Sequence, residues 1–202
     1  MPKKRFLKKK YILILVIAVI AFAVVLVSRT TGVFNYGREI GTVTDSLNGV
    51  FVYYNGNVGN VSGRNLAPDG YNLGLKYQCV EFVKRYYYEY LNHKMPDSYG
   101  HAKDFFDKNI GDGEISPRRN LIQYTNGSRS KPEPDDLIIM DGTVYNKYGH
   151  VAIISHVFDN KIEIIQQNPG ANASSRAEMP LILQDDKWRV YNERVLGWLR
   201  KK

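Results

Sequence analysis

The chain has 202 residues, with 28 Lys and Arg against 20 Asp and Glu, for a formal net charge of +8. Six of those cations lie in residues 1–10 ("MPKKRFLKKK"), so the remainder is nearly balanced, at 22 against 20. This near-balance argues against a nucleic-acid binder, which would carry a basic face on its folded domain. The only cysteine is Cys79, which excludes a domain stapled by intramolecular disulfides.

Residues 11–27 ("YILILVIAVIAFAVVLV") form an uncharged apolar run directly after this basic tail. A run of this length is about the shortest that spans a hydrocarbon core of roughly 30 Å. The basic flank predicts an N-terminus in the cytoplasm and the rest of the chain outside. A cleaved signal peptide is the alternative, because residues 21–23 ("AFA") have the small-x-small form of a processing site. We favour an uncleaved anchor, since the apolar run continues beyond that site.

The rest of the chain divides into a short linker and one domain. Residues 28–41 are polar and contain glycine, which predicts a linker, and residues 42–202 fit a single domain. Within that domain, residues 54–75 are rich in Asn and Gly and predict a loop.

A helix is predicted over residues 79–91, because Val80, Val83, Tyr87 and Leu91 recur at steps of three and four. A second stripe beside this one consists of Phe82, Tyr86 and Tyr90, and we interpret the tyrosines as packing residues and not as a cofactor site. A second helix is expected near residues 100–108. Strands are then predicted at residues 136–140, 150–157, 161–168 and 194–199, which are rich in β-branched residues. One or two helices followed by antiparallel strands imply an α+β domain.

Cys79 is expected at the first turn of this helix. Unpaired N–H groups and the positive end of the helix dipole would lower its pKa and favour a nucleophilic thiolate. The backbone N–H of Cys79 and the side chain of Gln78 are candidate donors to an oxyanion. The alternative is a buried, inert thiol, since unpaired cysteine is often buried.

Four histidines are candidates for the general base. His93 follows a helix end and is predicted to be solvated, and His156 lies mid-strand, which favours a structural role. His101 lies in a loop at the entry to the second helix and could line a cleft. His150 opens a strand after a glycine-bearing turn, so its ring can project at a sheet edge, and it is our preferred base.

The choice of His150 can be tested by the pairing of its strand with the next strand, at residues 161–168. A three-residue loop at residues 158–160, with Asn160 in the left-handed region, would pair Val157 with Lys161. Continued along the strands, that register pairs His150 with Asn168 and Ala152 with Gln166.

His150, Gln166 and Asn168 would then share one face, with Ala152 small enough to admit a helix end. A two-residue loop would send both amides to the opposite face. The catalytic interpretation therefore predicts an odd-length loop. Gln166 or Asn168 could then orient the imidazole, unless both are strand-end amides that bond loop backbone.

Three sequence blocks, "YQCVEFVKRYY", "GHVAIISHV" and "IIQQN", resemble in this order the CHAP family of cysteine, histidine-dependent amidohydrolases and peptidases. Within that family the chain is similar to the amidase domain of bifunctional glutathionylspermidine amidase/synthetase, over residues 49–199. The resemblance implies a papain-like fold, with the helix that carries Cys79 packed on an antiparallel sheet.

The resemblance also implies roles for individual residues. Cys79 would be the nucleophile, His150 the general base, and Gln166 the third catalytic residue, at a position where the family usually has glutamate. Gln78 would bind the substrate and the oxyanion, and Asn168 would contact the substrate in the cleft.

Four further residues are expected to bind substrate by the same resemblance. Lys84 stands where the amidase has a substrate-contacting arginine, and Gly100, His101 and Ala102 fall in the segment that lines the cleft. No metal is implied, because neither an H-E-x-x-H nor a paired C-x-x-C spacing is present. No cofactor is expected.

The expected function follows from the anchor and the family together. A domain outside the membrane would meet peptidoglycan, so we expect a cysteine amidohydrolase or peptidase that cleaves an amide bond there through an acyl-enzyme. The alternatives are a glutathionylspermidine-type amidase and a catalytically weak domain that binds wall peptides. The uncharged Gln166 keeps the last alternative open.

Overall fold

A computed structural model describes residues 3–31, 38–170 and 173–202. It begins with helix α1 (Lys3–Thr31), whose segment Lys9–Val27 has a mean hydropathy of 3.0 and is not buried against the protein. Within the described residues, this is the one helix long and apolar enough to cross a membrane. A signal sequence near the N-terminus would have the same properties. Part of the predicted linker, residues 32–37, lies outside the described residues.

The rest of the described chain is an α+β domain. Its second helix carries Cys79, and its strands form one large sheet and two hairpins. The elements are α2 (Cys79–Glu89), a 3₁₀ helix (Ala102–Phe105), β1 (Val43–Leu47), β2 (Val50–Tyr53), β3 (Arg64–Leu66), β4 (Asn72–Leu75), β5 (Glu114–Ser116), β6 (Leu121–Thr125), β7 (Leu137–Met140), β8 (His150–Val157), β9 (Lys161–Ile165), β10 (Arg176–Gln184), β11 (Lys187–Val190) and β12 (Val195–Arg200).

The large sheet has eight antiparallel strands in the order β11-β10-β9-β8-β7-β12-β6-β5, whereas β1-β2 and β3-β4 pair separately. It curls back on itself, because the Trp188 N–H in β11 donates to the Ser128 carbonyl beyond β6 at 2.7 Å. The Asn126 side chain strengthens this closure by accepting from the Val190 N–H at 2.8 Å.

The large sheet packs against a separate hydrophobic core on each face, because successive side chains of a strand point to opposite faces. The face towards α2 and the opposite, inner face are both fully apolar at the centre. Ala152 belongs to the inner face, so the expectation that it leaves room for a helix end is wrong. The α2 face contains Leu137, Ile139, Val151, Ile153 and Leu199 with Phe82, Val83, Tyr86 and Tyr87; the inner face contains Ile138, Met140, Ala152, Ile154, Ile162 and Ile164.

Helix α2 begins at Cys79, as the sequence predicts, after Gln78 in an extended conformation. Tyr86 and Tyr87 are fully buried, which confirms that these two tyrosines pack, whereas Tyr90 is 47% exposed. The Tyr87 hydroxyl donates to the Asp135 carbonyl at 2.8 Å and so fixes the helix to the loop before β7.

The four predicted strands are present as β7, β8, β9 and β12. The predicted helix at residues 100–108 is reduced to the one-turn 3₁₀ helix, because Phe106 is already extended. Two short strands, β3 and β4, lie inside the predicted loop at residues 54–75. They have three and four residues, too few to show an alternating pattern.

The turn between β8 and β9 differs from its prediction. It has two residues, since the Phe158 N–H donates to the Lys161 carbonyl at 2.8 Å and Val157 pairs with Ile162. The odd-length loop is therefore wrong, and Asn160 does not adopt the left-handed conformation.

A β-bulge at Ser155 corrects the register before the strands reach the site. The pairing shifts by one residue there, so that Ile153 pairs with Ile165 beyond it. This is the register that the odd-length loop was expected to supply. His150 and Gln166 consequently lie on the same face, although the one-residue shift comes from the bulge and not from the loop.

Candidate active site

Cys79 lies where helix α2 meets the start of β8. Its side chain is partly buried and packs against the core beneath α2. The backbone of Val151, the residue after His150, acts on this thiol and opposes the rise in its pKa, so the sulfur lies beside the start of β8. The candidate nucleophile therefore lies beside the residue that follows the candidate base. Among the described residues, no direct hydrogen bond joins the Cys79 sulfur to the His150 ring.

Burial raises the pKa of the Cys79 thiol above its ordinary value. Backbone N–H groups, that of Val151 first, act in the opposite direction but do not outweigh the loss of solvent. The expectation of a lowered pKa is therefore wrong for this state of the protein. The resting group is a thiol.

The His150 ring is fixed by Gln166. Its Nε2 lies 3.0 Å from Gln166 Oε1, and both side chains are buried, at 9% and 8% exposed. Gln166 Nε2 donates to the Ser174 carbonyl at 3.1 Å, which turns Oε1 towards the ring. Since Oε1 only accepts, the ring must donate from Nε2. The neutral imidazole is then left with Nδ1 as its basic nitrogen.

Burial also lowers the pKa of His150, to about 4. The hydrogen bond to Gln166 opposes this change, and the positive charge of Arg194 adds to it. At pH 7 the imidazole is neutral. The resting pair is thus an uncharged thiol beside an uncharged imidazole.

Gln78 and Asn168 tie the N-terminus of α2 to the loop before β3. Gln78 Nε2 donates to the carbonyls of Val58 at 3.1 Å and Asn60 at 2.7 Å. Asn168 Nδ2 donates to Gln78 Oε1 at 2.7 Å and to the Val58 carbonyl at 2.9 Å. Both amide hydrogens of Gln78 are therefore already used. Its predicted role at the oxyanion requires that a loop carbonyl give way.

Lys84 is placed differently from its predicted role. It is 1% exposed, and its ammonium group donates to the Ser98 carbonyl at 2.8 Å and to the Asn72 carbonyl. Burial lowers its pKa to about 8. In this structure Lys84 supports the segment before Gly100, and the placement does not favour a direct contact with substrate.

The segment Gly100–Ala102 lies beside the loop that leads to His150. The His101 ring is exposed and stands 4.5 Å from the Tyr148 ring, while Ala102 is buried. Gly100 has a φ of +110°, which would strain any other residue, and a Cβ there would lie 3.2 Å from Arg119 Nη2, so Arg119 would have to move slightly. The predicted contacts of this segment with substrate stay predictions.

The other two histidines lie away from Cys79. His93 is 8% exposed and its Nε2 bonds the Arg119 carbonyl at 2.9 Å, so the prediction that it is solvated is wrong. The turn after α2 folds its ring against Tyr87. His156 is exposed next to the bulge, with its ring against Phe158.

Sequence reasoning missed the residue that joins these parts. Gln167 is fully buried, and its Nε2 donates to the Gln78 carbonyl at 3.1 Å and to Glu81 Oε2 at 2.8 Å. Its Oε1 accepts from the Tyr53 N–H at 2.8 Å. Glu81 in turn pairs with Arg85 at 2.7 Å. Three consecutive amides, "QQN", were the available signal, but of these only Gln166 bonds the His150 ring.

The described residues contain no group of three or more His, Cys, Asp or Glu side chains that could hold a metal ion.

Comparison with known proteins matches the CHAP domain to residues 69–168. The chain is 33% identical over 148 residues to trypanothione synthetase of Crithidia fasciculata, and this alignment covers 68% of the chain and 23% of that protein. It is 34% identical over 152 residues to the bifunctional glutathionylspermidine synthetase/amidase of Escherichia coli K12, covering 67% and 23%. The chain thus spans about a quarter of the length of these relatives.

Among solved structures, the crystal structure of Ly7917 with the hydrolyzing product of MDP matches at 24% identity with a TM-score of 0.26, covering 38% of this chain and 32% of that one. A likeness this weak adds nothing to the assignment.

Residues 69–168, which contain Cys79, His150 and Gln166, form a CHAP domain, of the cysteine amidohydrolase family. The chain is a distant homologue of the amidase region of glutathionylspermidine synthetase/amidase and trypanothione synthetase.

The thiol of Cys79 is expected to titrate at or above the ordinary free-cysteine value of about 8.5, because its pKa is raised by burial. The rate of alkylation against pH measures this, and the single cysteine makes the unfolded chain a clean reference. His150→Ala should leave this pKa in place, since a neutral imidazole contributes no charge. A wild-type thiol pKa below 7 that rises in His150→Ala would show an ion pair and contradict the neutral resting state.

Gln167→Leu should lower the free energy of unfolding by about 2–4 kcal/mol, because it leaves several buried polar partners unsatisfied. Chemical denaturation measures the change. Gln184→Leu is the matched control, since Gln184 is exposed at the end of β10, and should stay within about 0.5 kcal/mol of wild type. Equal destabilisation by the two variants would show that Gln167 has no special role.

Proposed function

We propose that this protein is a membrane-anchored cysteine amidohydrolase with a papain-like domain, residues 42–202, that cleaves an amide bond in peptidoglycan. The observation that supports it most is the bond from His150 Nε2 to Gln166, which leaves Nδ1 as a base at the start of β8, where the Cys79 sulfur also lies. A base that is held by an orienting group and stands near a thiol is the arrangement that a catalytic triad requires, which supports the proposal.

Acylation begins from the uncharged pair. As the substrate carbonyl binds, the Cys79 proton passes to His150 Nδ1 and the sulfur attacks the carbonyl carbon. The backbone N–H of Cys79 lies in the first turn of α2, where helix geometry supplies no acceptor, and it donates to the oxyanion. The C–N bond then breaks, and the leaving amine takes the proton from His150.

Deacylation repeats these steps with water. His150 Nδ1 removes a proton from the water, whose oxygen attacks the thioester carbon. The C–S bond breaks, the sulfur recovers the proton, and the acid product leaves. Gln166 keeps the ring oriented throughout, although its uncharged amide stabilises the imidazolium less than a carboxylate would.

The contact with Ser174 explains why an amide suits position 166. Gln166 Nε2 donates to the Ser174 carbonyl, and a glutamate would place a second acceptor there. The neutral side chain is therefore favoured by the backbone around it.

The anchor supports the choice of substrate. The exposed apolar segment Lys9–Val27 follows a basic tail, so we place residues 1–10 in the cytoplasm, residues 11–27 in the membrane and, after a linker at 28–41, the CHAP domain outside. Peptidoglycan is the amide-rich polymer that an enzyme on that side of a bacterial membrane meets.

Two other functions have support in particular observations. The similarity to the glutathionylspermidine synthetase/amidase favours a glutathionylspermidine-type amidase. The raised pKa of Cys79 and the lowered pKa of His150 favour a catalytically weak domain that binds wall peptides.

Hydrolysis assays with the full chain in detergent distinguish these functions. Purified peptidoglycan and glutathionylspermidine are the two substrates, and mass spectrometry of the released products is the readout. We expect new amine and carboxyl ends from peptidoglycan, and a loss of at least about 10³-fold in Cys79→Ser and His150→Ala. His156→Ala, on the same strand, is the control and should keep full activity. Cleavage of glutathionylspermidine alone, or binding without cleavage, would overturn the proposal.

The fall of kcat/KM at low pH, its acid limb, should report the pKa of His150, because the ring must be neutral to act as a base. With its pKa at about 4, the wild type should keep its activity down to about pH 5. Gln166→Glu places a negative charge beside the ring, which should raise the His150 pKa towards or above its ordinary value and move the acid limb upward. A wild-type limb near 6.5 that is unchanged in Gln166→Glu would contradict this electrostatic account.

A further inference from the structure

A cleft of about 230 Å³ opens beside the catalytic residues. Its wall includes Gln166 and Asn168, the end of β2, and residues 169–170 and 173–175 between β9 and β10. Gln166 also bonds His150, so one side chain separates this cleft from the imidazole. Neither Cys79 nor His150 lines it. The cleft is therefore a neighbouring subsite and not the reaction centre.

Arg38 is the charged residue among those that line the cleft, and none of the described lining residues is Asp or Glu. Its guanidinium carbon lies 5.4 Å from the centre of the Tyr54 ring. Two backbone bonds tie this segment to β2, from the Gly41 N–H to the Tyr54 carbonyl at 2.9 Å and from the Tyr54 N–H to the Thr42 carbonyl at 2.8 Å. In the part of the chain that the structure describes, Arg38 forms no ion pair with a carboxylate.

Two carboxylates near the site are paired within the protein. Glu81 is buried against Arg85, and Asp45 shares Arg176 with Glu163, at 3.0 and 2.8 Å. Gln166 contributes no charge, and Arg194 acts on the His150 ring with a positive one. Among the described residues that line the cleft, Arg38 therefore supplies the one charge, which favours an anionic group and disfavours a polycationic one.

We propose that this cleft is a carboxylate subsite, in which Arg38 binds a free carboxylate of the substrate close to the amide that is cleaved. The cleft and the His150 ring are separated by the Gln166 side chain. Since one extended residue spans about 3.5 Å, a substrate carboxylate one or two residues from the cleaved amide could reach the cleft. The inference rests on the proposed function and narrows it. The substrate class is a peptide with a nearby terminal carboxylate, and not a polyamine amide.

Equilibrium binding to the full-length Cys79→Ala variant tests this without depending on turnover. The probes are a muropeptide with a free terminal carboxylate and the same peptide as its carboxamide. The acid should bind about 10–100-fold more tightly, the range expected for a charge-assisted hydrogen bond. Adding Arg38→Gln should remove this preference, and Arg38→Lys should keep part of it. Adding Arg64→Gln is the matched control, since Arg64 also lies over a tyrosine ring, that of Tyr99, but outside the cleft.

Equal or undetectable binding of the two probes would overturn the subsite, as would an equal loss of preference in Arg38→Gln and Arg64→Gln. Retained preference in Cys79→Ala, together with no hydrolysis of either probe by the unsubstituted chain, would support the subsite and refute the proposed hydrolysis. The two proposals can thus fail separately.

Discussion

The Gln167 side chain is the contact on which the geometry of the site depends. Its amide bonds the backbone of Gln78 and the carboxylate of Glu81 on α2, and it accepts from the Tyr53 N–H on β2. It follows directly after Gln166, so it fixes the N-terminus of α2 at the end of the strand that orients His150. Cys79 is the next residue after Gln78. One buried amide therefore links the start of the helix that carries Cys79 to the residue that follows Gln166.

The chemistry that this frame supports is that of a neutral pair. Burial keeps Cys79 as a thiol and His150 as an imidazole, and Gln166 directs the ring without charging it. With such a pair, the proton of Cys79 would move to His150 during the attack on the substrate, and no thiolate–imidazolium ion pair would form beforehand. An uncharged thiol is a weaker nucleophile than a thiolate, and an uncharged Gln166 adds no negative charge beside the cleft that Arg38 lines.

Much of this could be predicted from the sequence, where patterns are local. Helical spacing placed Cys79 at the start of α2, and β-branched runs gave the four central strands. The pKa of Cys79 could not be predicted, because burial is set by residues distant in the chain. The hairpin shows a second limit, since the register was right but its cause, a bulge at Ser155, has no signature in "HVAIISHV". Lys84 lies on α2 outside the predicted apolar stripe, and only the fold shows that it is buried.

The most direct test of the central claim is a rapidly quenched single turnover of the full chain with a muropeptide, followed by mass analysis of the peptide that contains Cys79. The account predicts a transient mass increase equal to the acyl part of the substrate, carried by Cys79 and absent in His150→Ala. Product release with no adduct on this peptide, or with Cys79→Ser still active, would contradict it.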